Sequence, residues 1–211
     1  MNTPGRDCGG CPRLVDLRQQ VRREQPDWHN APVASFGPLG AQLLIIGLAP
    51  GRGGANRTGR PFTGDYAGDL LYQTIDKFGF SEGSYGADCH DGLRLINCRI
   101  TNAVRCLPPE NKPVGAEIKA CGGYLADEIG AMEDLRLLLA LGVVAHGAIL
   151  TALGLRKSAV KFAHGARHQL ASGLVLADSY HCSRYNTNTR RLSVEMFETV
   201  FDGLAEYLAR T

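Results

Sequence analysis

Four short runs of branched, apolar residues recur along this chain: QLLIIGLA at 42–49, LRLINC at 93–98, LRLLLALG at 135–142 and LVLADSYH at 174–181. Their apolar residues are continuous rather than alternating, which is the pattern of strands covered on both faces of a parallel sheet. Helical patterns fill the spaces between and after them, at 66–78, 115–132, 144–153 and 193–209. Strands alternating with helices build βαβ units, so the chain reads as α/β, a three-layer α/β/α sandwich with a central four-stranded parallel sheet. No linker, internal repeat or low-complexity block divides it, and residues 1–211 read as a single domain. In such a sheet ligands bind just beyond the carboxyl ends of the strands. That rule singles out GLAPGRGG…FTGD, NCRITNAVRCLPPENKP, GVVAHGA and HCSRYNTNTRR as the segments to examine.

The N-terminal stretch MNTPGRDCGGCPRLVDLRQQVRRE has no apolar signal core, and no window approaches the roughly 20 apolar residues of a membrane helix. A cytoplasmic location is expected. A formal net charge of +2 is too small to indicate a polyanionic partner, because such binding depends on where cations cluster. Two clusters exist: Arg52, Arg57 and Arg60 in the first loop, and Arg184, Arg190 and Arg191 near the C-terminus. Gathered on one rim of the fold they would line a positive groove; taken apart, they are ordinary solvated loop arginines.

The first loop has the glycine density of a phosphate loop without its chemistry. A Walker A loop needs a lysine, and Gly54-Ala55-Asn56-Arg57-Thr58 offers none. A dinucleotide fingerprint needs a third glycine, where this chain has Asn56. What remains is a backbone able to pass close to a ligand, an aromatic ring at Phe62 for stacking, and a carboxylate at Asp65. Asn102 carries an amide that gives and accepts hydrogen bonds, as the polar edge of a nucleobase requires. His181 ends the last strand, where a neutral imidazole donates to a developing oxyanion. Singly, Phe62 reads as a core aromatic, Asp65 as a helix N-cap, Asn102 as a turn residue and His181 as a strand terminus. Together they describe a nucleobase pocket.

Seven cysteines in a chain expected to be cytoplasmic argue for metal more than for disulfides. Cys8 and Cys11 form a C-x2-C pair, while Cys106 and Cys121 lie in the second βα loop and the helix after it. Spacing alone leaves zinc, an iron–sulfur cluster and unligated thiols all open. Cys89, Cys98 and Cys182 have no partner pattern and read as small buried or loop residues.

GLAPG, NRTGRPFTGD, TNAVRCLPPENKP and HCSRYNTNTRRLS, in that order and together with the four cysteines, resemble the family 5 (type B) uracil-DNA glycosylases of the uracil-DNA glycosylase superfamily. The resemblance runs from Cys8 to about Leu192. It implies an α/β/α sandwich around four parallel strands and a structural [4Fe–4S] cluster on Cys8, Cys11, Cys106 and Cys121. It further implies base excision repair, in which a deaminated base is flipped out of DNA and its N-glycosidic bond hydrolysed to leave an abasic site. By similarity Ala49, Gly51 and Phe62 would hold the base, Asn102 would bind its polar edge, and His181 would stabilise charge on the departing base. Asp65 would serve the attacking water and the cationic sugar, with Asp69 a second candidate for that role.

Other branches carry an acid inside G-x-x-P; this chain has Leu48 and Ala49 there, as family 5 does. The resemblance implies activity on uracil and on deaminated purines such as hypoxanthine, and an apolar pocket, which discriminates weakly, fits that breadth. Arg57, Arg60, Arg190 and Arg191 are expected on DNA phosphates, Arg184 or Tyr185 in or against the emptied stack, and Lys112, Lys161 and His164 as further backbone contacts. The protein is expected to act as a monomer, in a prokaryote on nucleoid DNA. The alternatives are a uracil-restricted family 4-like enzyme, a catalytically silent iron–sulfur DNA-binding protein and a zinc-stabilised hydrolase.

Overall fold

A computed structural model describes residues 1–210. In chain order the elements are α1 (Pro12–Glu24), β1 (Leu43–Gly47), α2 (Ala55–Thr58), α3 (Tyr66–Lys77), β2 (Ser81–Glu82), β3 (Arg94–Leu95), β4 (Cys98–Asn102), α4 (Gly115–Ala131), β5 (Leu137–Leu141), α5 (Val143–Ala152), β6 (Arg167–Gln169), β7 (Val175–Ser179), α6 (Arg184–Asn188) and α7 (Val194–Ala209). The main sheet runs β4-β1-β5-β7-β6. Its first four strands are parallel, with Ile45 level with Ile100 on one side and Leu139 on the other. The fold is thus α/β with the expected parallel core.

Continuous apolar runs make sense in this sheet because each strand feeds two cores. Leu43 and Ile45 of β1, Leu137 and Leu139 of β5, and Val175 and Ala177 of β7 face a layer that holds Leu71 and Ile75 of α3 and Phe197 and Phe201 of α7. The alternate residues Leu44, Ile46, Leu138, Ala140 and Leu176 face Leu125 and Ile129 of α4 and Ile149 and Leu150 of α5. Each fully buried Leu, Ile or Phe contributes about 1.5–3 kcal/mol of transfer free energy. All the strand residues named here are buried on both faces, so that contribution holds the three layers together.

Several elements depart from the sequence expectation, among them the second strand, an edge strand and the first helix. The second strand begins where the run 93–98 ends: β4 is CRITN, while Arg94–Leu95 pairs antiparallel with Ser81–Glu82 in a separate ribbon. Asn97, with φ of 50°, breaks the run, and its side chain bonds the backbone and side chain of Gln42. Arg99 and Thr101 hide β4 from an apolar scan, yet both are buried. Glu128 of α4 accepts from Arg99 at 2.6 Å and from Arg105 at 2.5 Å, and Thr101 meets Ser35 at 2.9 Å. A fifth strand, β6, joins the edge antiparallel to β7; it is short and polar, as exposed edges tend to be. Helix α1 was not expected, since only Leu14 and Val21 of its apolar residues, with Arg18, are buried. No helix among the described residues is long and apolar enough to cross a membrane.

Candidate active site

The parallel strands end together, and their following loops wall a cleft of about 710 Å³ lined by Leu48, Ala49, Gly51, Asp65, Gly142, Val143, Phe162, Tyr180, His181, Arg184 and Arg191 among others. Gly47 closes β1, opposite Asn102 of β4 in the sheet register. A Cβ on Gly47 would collide with both the Phe62 ring and the Asn102 amide oxygen. Only glycine lets ring and amide meet over the strand end. Both are buried, Phe62 at 7% and Asn102 at 3% exposure, just behind the open cleft. His181, half-buried, lies with its ring 5.9 Å from that of Phe62 at an interplanar angle of 28°.

Asp65 caps α3, and its Oδ1 accepts from the Gly68 amide at 3.1 Å. Such a cap contributes about 1 kcal/mol to helix stability. The other oxygen occupies space that Gly51 and Gly54 leave open, since a Cβ there would stand 3.1 Å and 2.6 Å from it. Asp65 is exposed at the cleft, while Asp69 is exposed in the first turn of α3 and does not line it. The structure therefore places Asp65, not Asp69, at the cleft wall.

Burial pushes the His181 imidazole below its ordinary 6.5 and outweighs the opposing pull of the Asp65 carboxylate. The ring is accordingly neutral at neutral pH. Two contacts set its place: its carbonyl accepts from the Asn186 amide at 2.8 Å, and the next residue, Cys182, bonds through sulfur to the Ala67 carbonyl at 3.4 Å. Cys182 thus ties the histidine loop to the first turn of α3, beside Asp65.

The arginines divide. Arg184 and Arg191 line the cleft, their guanidinium groups 5.4 Å over Tyr66 and 4.6 Å over Tyr180. Arg57, Arg190 and Tyr185 are exposed, Tyr185 to 73%. Arg57 donates to the Gly53 carbonyl, and Arg52 is paired with Glu24. Arg60 does not belong with them. It is buried, forks onto Asp91 at 2.8 and 2.6 Å, and is closed in by aromatic rings, so it is out of reach of a phosphate. Sequence proximity to other arginines misplaces it because its partner lies thirty-one positions away. Lys112 and Lys161 are exposed, whereas His164 is half-buried, accepting from the Tyr180 amide at 3.1 Å and stacking on that ring at 5.0 Å. Tyr66, Phe162 and Tyr180 were not expected at the site; Tyr66 and Tyr180 flank strand-end loops, whereas Phe162, in the connection between α5 and β6, carries no such signal.

Behind the cleft, Cys8, Cys11, Cys106 and Cys121 converge around Leu14 and Val104 as free thiols. Burial pushes the Cys106 thiol up to about 11, against the pull of Arg18. Among the described residues, no three of these sulfurs lie within 4.8 Å of one another. Arg18 donates to Cys106 Sγ at 3.8 Å and to the Cys8 carbonyl at 2.9 Å, but its buried Nε has no partner. A buried, unpartnered cationic donor beside Cys106 and Cys8 fits an anionic group held among the four cysteines.

Comparison with known proteins bears on this geometry. A family model described as the uracil DNA glycosylase superfamily matches residues 34–205. A type-5 uracil-DNA glycosylase from Thermus thermophilus is 46% identical over 90% of this chain and 89% of its own length. Those of Mycobacterium leprae and Pyrobaculum aerophilum are 41% and 38% identical, each over 92% of this chain and over 88% and 86% of their own lengths. A type-4 uracil-DNA glycosylase of P. aerophilum is 33% identical over only 59% of this chain. With this match over most of its length and with Asp65 and His181 facing one cleft at the strand ends, the chain belongs to the type-5 uracil-DNA glycosylases of the uracil-DNA glycosylase superfamily.

Proposed function

We propose that this chain excises uracil from DNA in base excision repair, hydrolysing the bond between C1′ and the base nitrogen of a flipped-out nucleotide. The observation that carries this reading is the meeting of Asp65 and His181 at one cleft with Phe62 and Asn102 immediately behind it. A base inside the duplex shields its C1′, so the nucleotide must leave the stack. Phe62 offers the flat face on which the base rests, and the Asn102 amide pairs with its polar edge. As the bond to C1′ breaks, its electron pair goes to the base and the sugar becomes cationic. His181, neutral, donates a hydrogen bond toward the base oxygen on which that charge collects. Asp65 faces the cationic sugar, orients a water toward C1′ and takes its proton as the new C–O bond forms.

The same reading includes the cysteines. Cys8, Cys11, Cys106 and Cys121 hold a [4Fe–4S] cluster, which acts as a structural staple between α1 and the segment after β4. The Arg18 donors, one of them buried without a partner, suit the negative charge of such a cluster.

Breadth follows from the lining. Leu48 and Ala49 present no carboxylate to test a base edge, so hypoxanthine is accepted beside uracil, and the enzyme works as a monomer on DNA. A labelled duplex with one uracil opposite guanine, treated with alkali after incubation, tests the reaction; a hypoxanthine duplex tests breadth, and iron and sulfide analysis the cluster. Cleavage at both lesions by an iron-containing protein is expected. Inactivity on both despite intact iron would leave the binding-protein reading in its place.

A further inference from the structure

We infer that Arg60 and Asp91 are positioning residues that hold Phe62 at the base site, through a buried ion pair roofed by aromatic rings. This rests on the stacking role given to Phe62 above. Phe62 has φ of 54°, in the left-handed region that a bulky residue does not enter without help. Every residue around it is held. Tyr72 donates to the Pro61 carbonyl at 2.8 Å, Arg60 Nε donates to Thr63 Oγ1 at 2.8 Å, and the Tyr85 hydroxyl lies 3.4 Å from both the Phe62 carbonyl and the Gly64 amide.

Arg60 is the hub of these contacts. Its guanidinium lies 5.0, 5.3 and 5.6 Å from the ring centres of Phe36, Tyr72 and Tyr85, and its two terminal nitrogens fork onto the Asp91 oxygens. Asp91 is in turn fixed by the Gly86 and Leu93 amides at 2.9 and 3.0 Å. The pair is nearly dry, with side chains 5% and 7% exposed. A planar fork that both stacks and chelates is a task lysine cannot perform. The ion pair therefore connects the 86–93 segment to the turn that presents Phe62.

The test compares Asp91→Asn, Arg60→Lys and Tyr85→Phe, each with Phe62 intact and in a Phe62→Ala background, by single-turnover uracil excision, DNA affinity and thermal melting. With Phe62 intact, Asp91→Asn and Arg60→Lys should slow excision about 10- to 100-fold while DNA affinity stays within about twofold. In the Phe62→Ala background the same changes should add little, because the ring through which they act is gone. A loss of equal size in both backgrounds, or a wild-type rate for folded Asp91→Asn, would overturn the inference. If Asp91→Asn does not fold, Arg60→Lys, which keeps the charge and loses the fork and the stacking, decides by the same criterion, and Tyr85→Phe, which leaves the pair intact, should change the rate less than either. A wild-type rate for Phe62→Ala itself would instead refute the stacking role, a result distinct from either.

Discussion

A single methyl group at position 68 is expected to slow excision by up to about a hundredfold while leaving the protein folded. Gly68 sits in the first turn of α3, and its amide donates to the Asp65 carboxylate at 3.1 Å. A Cβ there would stand 2.7 Å from the Phe62 carbonyl carbon and nearer still to its oxygen. Carbons in contact sit about 3.5 Å apart, so the Phe62 turn and α3 must separate by roughly 0.8 Å or more. The turn carries the stacking ring and the helix carries Asp65, so the separation moves one against the other. A misplacement of about 1 Å costs up to about 10²-fold in rate. Stability should change less, because alanine gains about 0.5–1 kcal/mol in a helix while overpacking costs about 1–3 kcal/mol. Single-turnover excision at saturating enzyme reads the first quantity and thermal melting the second. A normally folded Gly68→Ala excising within about threefold of wild type would show that turn and helix are not rigidly docked, and would refute the reasoning.

Three further outcomes are expected. Excision should fall on the acid side through a pKa below 6.5, because burial lowers that of His181 and the neutral ring is the working form; a profile whose acid limb lies above 6.5 would assign it to another group. Glu128→Gln should cost about 3–5 kcal/mol in urea unfolding, since it strands Arg99 and Arg105 without their buried partner. Burial pushes the Glu128 carboxyl up, but Arg105, Ser35 and Arg99 together hold it below its ordinary 4.5; its contribution is therefore present above pH 4.5 and lost as pH falls through the lowered value. Arg184→Ala and Arg191→Ala should each reduce the salt dependence of DNA binding by about 0.9 in log–log slope, and an unchanged slope would remove that arginine from the phosphate contacts.

Much of the fold was legible because β1, β5 and the first half of β7 carry continuous buried apolar residues, and α3 and α7 each keep an apolar stripe toward the sheet. β4 was displaced in the reading because Arg99 sits in its buried interior, acceptable only beside Glu128 from α4. That compensation is a tertiary contact with no local trace. The same cause explains Arg60: its loop setting suggests solvent, and Asp91, which buries it, is remote in sequence. At the site, the rule that ligands meet parallel strands at their carboxyl ends was enough to select the loops of Asp65 and His181. The rings that brace the cleft arginines, Tyr66 and Tyr180, were not, because stacking depends on how two loops approach each other. α1 was missed because it exposes most of its surface and buries Arg18 toward the cysteines.

The most direct measurement is the single-turnover rate of uracil excision by wild type and Asp65→Asn on the same duplex, with melting temperatures in parallel. The account predicts that the wild type cleaves and that the variant, still folded and still binding DNA, loses at least about 10²-fold, the scale of a lost general base. An Asp65→Asn protein that excises uracil at the wild-type rate would contradict it.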